Sequence, residues 1–179
     1  MDAHTMTETA QHSKAVPPPD RYPGAPLLMV VTRWEAAQWC HRYDSVLTVF
    51  APWWHCDWGH EDHLIVEFED RIEMELGAPT LSQVDDILSW AHARLKNNIL
   101  VHCKAGQSRS TAAAVAIACL GGLSEQQALQ YVYAHCRPAS RVGRRPFIPN
   151  VRFLEHVDVL LGTGLQVAAE QFVPPAEQD

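Results

Sequence analysis

Val101-His102-Cys103-Lys104-Ala105-Gly106-Gln107-Ser108-Arg109-Ser110-Thr111 separates an apolar run, Ile99 to His102, from a run of small residues, Thr111 to Leu120. The first run reads as a buried strand and the second as a helix that Gly121-Gly122 stops. The segment between them is a loop with a glycine, in which Cys103 and Arg109 stand 6 positions apart. A free thiol titrates near pH ~8.5 and is a weak nucleophile at neutral pH. A strand-to-helix loop changes that, because its backbone N–H groups and the positive end of the helix stabilise a thiolate. The same donors hold a phosphate, and the planar guanidinium of Arg109 matches two phosphate oxygens. Taken alone, Cys103 reads as a buried structural cysteine and Arg109 as a surface arginine. The joint pattern of strand, His-Cys, glycine, arginine and adjacent hydroxyl points to phosphate chemistry.

Alternating elements surround this loop. Leu27 to Thr32 reads as a short strand, Arg33 to Arg42 as a short helix, and Ser45 to Phe50 and Leu64 to Phe68 as further strands. Thr80 with Gln83 makes a capping box, after which Leu81, Val84, Ile87, Leu88, Ala91 and Leu95 recur at helical spacing. Ser124 with Gln127 opens another helix, which runs to about Cys136 before Pro138. Pro149 suits the first turn of a last helix over about 150–161, ended by Gly162 and Gly164. The expected fold is three-layer α/β, with a central mixed but mainly parallel sheet flanked by helices. Residues 1–26, rich in polar residues and prolines, read as a flexible N-terminal segment, 27–164 as the domain and 165–179 as a C-terminal tail.

Composition narrows the function classes. The chain has 179 residues, 47 % of them hydrophobic and 20 % charged, which suits one soluble domain. No apolar run approaches the roughly 18 residues of a membrane span, and the polar N-terminus has no signal core, so a cytoplasmic protein is expected. Cys40, Cys56, Cys103, Cys119 and Cys136 are odd in number and irregular in spacing, which argues against a disulfide framework and for a reducing compartment. The net charge of −7 disfavours nucleic acid as a partner. It also hides a basic stretch: residues 99–152 carry Lys104, Arg109, Arg137, Arg141, Arg144, Arg145 and Arg152 against Glu125 alone. Such a stretch attracts an anionic substrate, although Arg141, Arg144 and Arg145 also fit a solvated loop.

The run from His102 to Ser110 resembles the phosphate-binding loop of the cysteine-dependent tyrosine and dual-specificity phosphatases, His-Cys-x-x-Gly-x-x-Arg-Ser/Thr, at every fixed position. Ser108-Arg109-Ser110-Thr111-Ala112-Ala113-Ala114 is similar to the helix start of their compact bacterial members. Arg145-Pro146-Phe147-Ile148-Pro149-Asn150 with Phe153-Leu154 is similar to the segment opening their last helix. The resemblance implies a tyrosine-phosphatase-like fold with Cys103 as nucleophile, Arg109 as phosphate ligand and a cradle of amides from Lys104, Ala105, Gly106, Gln107, Ser108 and Arg109. It implies further that Ser110 hydrogen-bonds the Cys103 sulfur as it departs, and that His102 orients the loop. No metal or other cofactor is implied. The expected partner is a phosphorylated protein or small phosphate ester, and the oligomeric state is left open.

A leaving oxygen needs a proton, and the resemblance places an aspartate about thirty residues before the cysteine. Asp70 lies 33 positions before Cys103, among seven acids between Glu61 and Glu75. Glu67, Glu69, Asp57 and Asp62 are its competitors, and any one of them also reads as a surface carboxylate. Trp53-Trp54-His55-Cys56-Asp57-Trp58-Gly59-His60 fits either an aromatic wall beside the cleft or a loop folded back on the core. His55, Cys56, His60 and His63 allow a metal reading that lacks a paired Cys-x-x-Cys. Three further readings compete with a protein phosphatase. One is a phosphoinositide or inositol phosphate phosphatase, whose usual second lysine is Gln107 here. The others are a non-catalytic phosphopeptide-binding module, against which Cys103, Arg109 and Ser110 argue, and a rhodanese-type sulfurtransferase.

Overall fold

The computed structural model describes residues 25–51, 58–71, 73, 76–136 and 147–174. Four strands form the sheet: β1 (Leu27–Thr32), β2 (Ser45–Phe50), β3 (His63–Glu67) and β4 (Asn98–Cys103). Their order is β1-β4-β2-β3 and every pairing is parallel, so the sheet expected to be mainly parallel is parallel throughout these strands. Among the described residues there are six α-helices: α1 (Arg33–Trp39), α2 (Leu81–His92), α3 (Arg109–Leu120), α4 (Glu125–His135), α5 (Val151–Leu161) and α6 (Leu165–Glu170). No helix among the described residues is long and apolar enough to cross a membrane.

Strand parity sorts the core into two faces, because successive side chains of a strand point to opposite sides. Leu28, Val30, Leu47, Val49, Ile99 and Val101 face the larger cluster, which α2 to α6 complete. Met29, Val31, Val46 and Leu100 face the smaller one, closed by Ala36 of α1. Helices on both faces account for strands that are almost wholly apolar. Helix α3 lies nearest the sheet, and its ten residues from Arg109 to Ala118 are all buried. Its alanines allow that close approach, and a helix surrounded on all sides shows little amphipathic pattern.

Local signals set most helix starts. The capping boxes expected at Thr80 and Ser124 are present, and Thr32 with Glu35 makes a third at α1. Helix α6 departs from the sequence expectation of a plain tail over 165–179: Leu165 is fully buried within it. Its cap is supplied from α5, where the Asp158 carboxylate accepts from the N–H of Leu165 (2.7 Å) and of Gln166 (3.0 Å). Residues 1–24, Arg137, Arg141, Arg144, Arg145 and 175–179 lie outside the described residues.

The edge of the sheet where the strands begin is pinned by a polar cluster. Arg94 Nε donates to both oxygens of Asp62 (2.8 and 2.7 Å), and Ser45 Oγ donates to Asp62 Oδ2 (2.6 Å). The Arg94 bonds hold the Asp62 carboxyl below the usual aspartate range, against the opposing effect of burial. At the far end of α3, a Cβ placed on Gly121 would lie 2.6 Å from Cδ of Pro26. A proline ring has no rotamer by which to withdraw. Gly121→Ala is therefore expected to cost about 1–3 kcal/mol through overpacking, measured as a lowered urea midpoint at unchanged m-value.

Candidate active site

Parallel strands end on one edge, and that edge carries the chemistry. Thr32, Phe50, Glu67 and Cys103 are the last residues of their strands. The Cys103 side chain is 3 % exposed. Its sulfur accepts the Gly106 N–H at 3.2 Å and lies 3.1 Å from Ser110 Oγ. Gly106 takes φ 68°, a left-handed conformation that a side chain would strain.

Four carbonyls of the loop are turned toward donors outside its interior. Cys103 O faces His102 Nδ1 (3.4 Å), Lys104 O accepts from Arg33 N (3.4 Å), and Gln107 O accepts from Ile148 N (3.1 Å). Ser108 O accepts from Ala112 N (2.9 Å), Asn150 N (3.4 Å) and Thr111 Oγ1 (2.7 Å). A trans peptide is planar, so a carbonyl held outside sends the next residue's N–H the opposite way. The amides of Lys104, Ala105, Ser108 and Arg109 are thereby set toward the interior of the loop, the side on which Gly106 N–H meets the sulfur. The first N–H groups of α3 have no intrahelical acceptor, and Ser108 makes no side-chain cap. The helix start beside the thiol therefore keeps the kind of donors that suit an anion.

Arg109 begins α3 and is 7 % exposed. Its Nη1 donates to the carbonyl of Phe68 at 2.8 Å, while its Nε is buried without a hydrogen-bond partner among the described residues. A buried guanidinium N–H left unpaired is costly. A bound oxyanion would satisfy it. The residues present thus fit a tetrahedral anion: inward amides, a helix start and an arginine donor in reserve.

Asp70 is exposed and joined to this loop. Its Oδ1 accepts from Ser108 Oγ (2.6 Å) and from Asn150 Nδ2 (2.9 Å). Asn150, 3 % exposed, also gives its Nδ2 to Arg71 O (3.1 Å) and caps α5 by accepting Phe153 N–H on Oδ1 (2.9 Å). The competing acids are placed elsewhere. Glu69 pairs with Arg71 at 2.7 Å, and Glu67 is an exposed residue of β3. Asp62 sits at the opposite edge of the sheet, and Asp57 lies outside the described residues.

The sequence pattern included Asn150 in a motif without giving it a role. Its contact with Asp70 spans 80 positions, beyond any local periodicity. Of the aromatic loop, Trp53, Trp54, His55 and Cys56 lie outside the described residues. Trp58 is folded back on the sheet: its ring lies 4.7 Å from that of His102 and stacks on His63 at 5.8 Å. Both nitrogens of His60 meet backbone groups of Tyr43 and Asp62. Among the described residues no group of three or more His, Cys, Asp or Glu could hold a metal.

No protein-family model matches the sequence, and no curated protein matches it. Solved structures do match. Human DUSP28 superposes with a TM-score of 0.55 at 23 % identity, over 77 % of this chain and 96 % of that one. A mouse candidate dual-specificity phosphatase complexed with zinc tungstate gives 0.56 at 23 % identity, over 94 % of this chain and 100 % of that one. The fold is that of the dual-specificity phosphatases.

On this phosphatase fold, burial holds His102 neutral, its pKa pushed down to about 3, with the charges of His63 and Arg33 adding to the effect and the Cys103 carbonyl opposing it. His135 is also lowered, by burial first. An unfolded histidine titrates near ~6.5, so on acidification the unfolded chain binds protons that the folded chain refuses. This stability is complete above pH ~6.5 and is lost as the pH falls below it, for His102 down to about 3, at a slope of up to about 1.4 kcal/mol per pH unit for each histidine. Urea unfolding at pH 7.5 and 5.5, above the carboxylate range, should show the fall, and the His102 ring resonances of the folded chain should not move between them. For Asn150→Ala, loss of the helix cap is expected to cost about 1–2 kcal/mol.

Proposed function

We propose that this chain is a cysteine-dependent phosphatase that hydrolyses phosphate monoesters of proteins, phosphotyrosine foremost, through a phosphocysteine. The observation that carries the reading is the Cys103 sulfur, held by Gly106 N–H and Ser110 Oγ beside a buried Arg109 whose Nε has no protein partner among the described residues. The amides 104–109 and Arg109 would bind three phosphate oxygens in the ground state. They would bind more strongly as charge spreads over those oxygens in transit.

In the first step the Cys103 thiolate forms the S–P bond as the bond from phosphorus to the ester oxygen breaks. That oxygen takes a proton from Asp70 and leaves as an alcohol or phenol. The fixed Oδ1 of Asp70 accepts from Ser108 and Asn150, which leaves Oδ2 to carry the proton. In the second step water attacks phosphorus and gives its proton to the Asp70 carboxylate. The S–P bond breaks, inorganic phosphate forms, and the thiolate departs toward the Ser110 hydroxyl. No redox partner enters either step. A cytoplasmic setting suits the reading, since it keeps thiols reduced; Cys40, Cys103 and Cys119 are free thiols.

The purified chain is expected to release phosphate from an aryl phosphate in the presence of chelator and to be inhibited by vanadate. Cys103→Ser should reduce turnover to background, and undiminished release by that variant overturns the mechanism. Asp70→Asn should slow aryl phosphates with good leaving groups little and phosphopeptides by about 10²-fold or more, the ordinary contribution of a general acid. A panel of phosphotyrosyl, phosphoseryl and phosphoinositide substrates with matched Cys103→Ser controls ranks the substrate classes.

A further inference from the structure

Behind the nucleophile, on the α1 side of the sheet, two imidazoles share one hydroxyl. Thr48 Oγ1 lies 2.6 Å from His102 Nε2 and 2.6 Å from His63 Nε2. Strand register produces the arrangement, for Thr48 stands opposite His102 across β2 and β4, while His63 of β3 pairs two residues earlier, at Val46. Thr48 and His102 are both fully buried. Trp58 covers both rings.

The donor inventory gives this chain a direction. A carbonyl oxygen only accepts, so the contact of His102 Nδ1 with Cys103 O requires the proton on Nδ1. His102 is neutral, so its Nε2 then bears a lone pair and must accept from Thr48. A threonine hydroxyl has one proton. With that proton directed at His102, Thr48 can only accept from His63 Nε2–H. The order is His63 to Thr48, Thr48 to His102, and His102 to the carbonyl of Cys103. In the opposite order, His102 would present a bare nitrogen to the carbonyl, and two lone pairs would face each other in a buried site.

We propose that Thr48 and His63 are positioning residues that fix the Nδ1–H tautomer of His102 and, through it, the Cys103–Lys104 peptide whose N–H opens the phosphate cradle. Hydrogen bonds in series polarise one another. The donor on the Cys103 carbonyl therefore strengthens the Lys104 N–H as a partner for negative charge in the loop, and the thiolate is the first such charge.

The test follows Cys103 by alkylation with iodoacetamide across pH, with the Cys103 peptide quantified by mass spectrometry. No phosphate ester is involved, so a chain that hydrolysed nothing would still answer it. Thr48→Val keeps the shape and removes the hydroxyl. It is expected to raise the alkylation midpoint by about 0.5–1 pH unit, the scale of one lost hydrogen bond to the charged form. Thr48→Ser should restore it. Long-range ¹H–¹⁵N spectra of the unmodified chain should show His102 protonated on Nδ1, a measurement that needs no variant to fold. An Nε2–H tautomer there overturns the proposal, as does an unchanged midpoint in Thr48→Val or a Thr48→Ser midpoint that stays with that of Thr48→Val.

Discussion

The bond from Arg109 Nη1 to the carbonyl of Phe68 joins the two halves of the site. One half is the loop between β4 and α3, which carries the thiol. The other is the segment leaving β3, which carries Asp70. Phe68 is itself anchored: its N–H donates to Phe50 O at 2.7 Å, and its ring stacks on Phe153 of α5 at 5.8 Å. Because the guanidinium is buried, this bond cannot be exchanged cheaply for water. Nη1 is committed to the scaffold, and Nε is left for a ligand. A single arginine thus both holds the second loop in place and supplies an unused donor.

The burial of α3 makes that division workable. A helix so close to the sheet needs residues small enough to fit, and Ala112, Ala113, Ala114, Ala116 and Ala118 are all fully buried. Its N-terminus therefore arrives directly at the ends of β4 and β2, with little side-chain volume between. Ser108 could have capped it, as Ser124 caps α4. Its hydroxyl goes instead to Asp70. One side-chain bond thereby leaves the helix start without a side-chain cap and ties Asp70 to the loop that carries the thiol.

Features with a local cause were legible in the sequence. The strands Leu27–Thr32 and Ser45–Phe50 coincide with their apolar runs, and the capping boxes at Thr80 and Ser124 stand where their residues predict. The loop from His102 to Ser110 was legible because its chemistry is compressed into nine positions. The start of α3 was less so. Small-residue periodicity begins at Thr111, whereas the helix begins at Arg109, whose polar side chain is buried for reasons of the site. Asn150 and Asp158 acquire their roles from partners on other elements, and neither a period nor a motif encodes those meetings. The same holds for Thr48, which as an isolated residue of a buried strand reads only as β-branched filling.

Strand parity explains why the two remaining polar residues of β4 serve different sides. His102 and Cys103 are consecutive, so they project to opposite faces. The thiol faces α3 and the loop, while the imidazole faces Thr48, His63 and Trp58. The backbone at Cys103 is common to both sides, and at the strand ends the Phe50 ring also approaches both, 5.9 Å from the His102 ring and 6.0 Å from the Arg109 guanidinium carbon. A buried histidine that stays neutral suits such a position. It places no charge near Arg33, yet its Nδ1–H lies 3.4 Å from the carbonyl that leads into the loop. The α1 face thus meets the loop at two neighbouring carbonyls, that of Cys103 through His102 Nδ1 and that of Lys104 through the Arg33 N–H, and each fixes a peptide plane beside the sulfur.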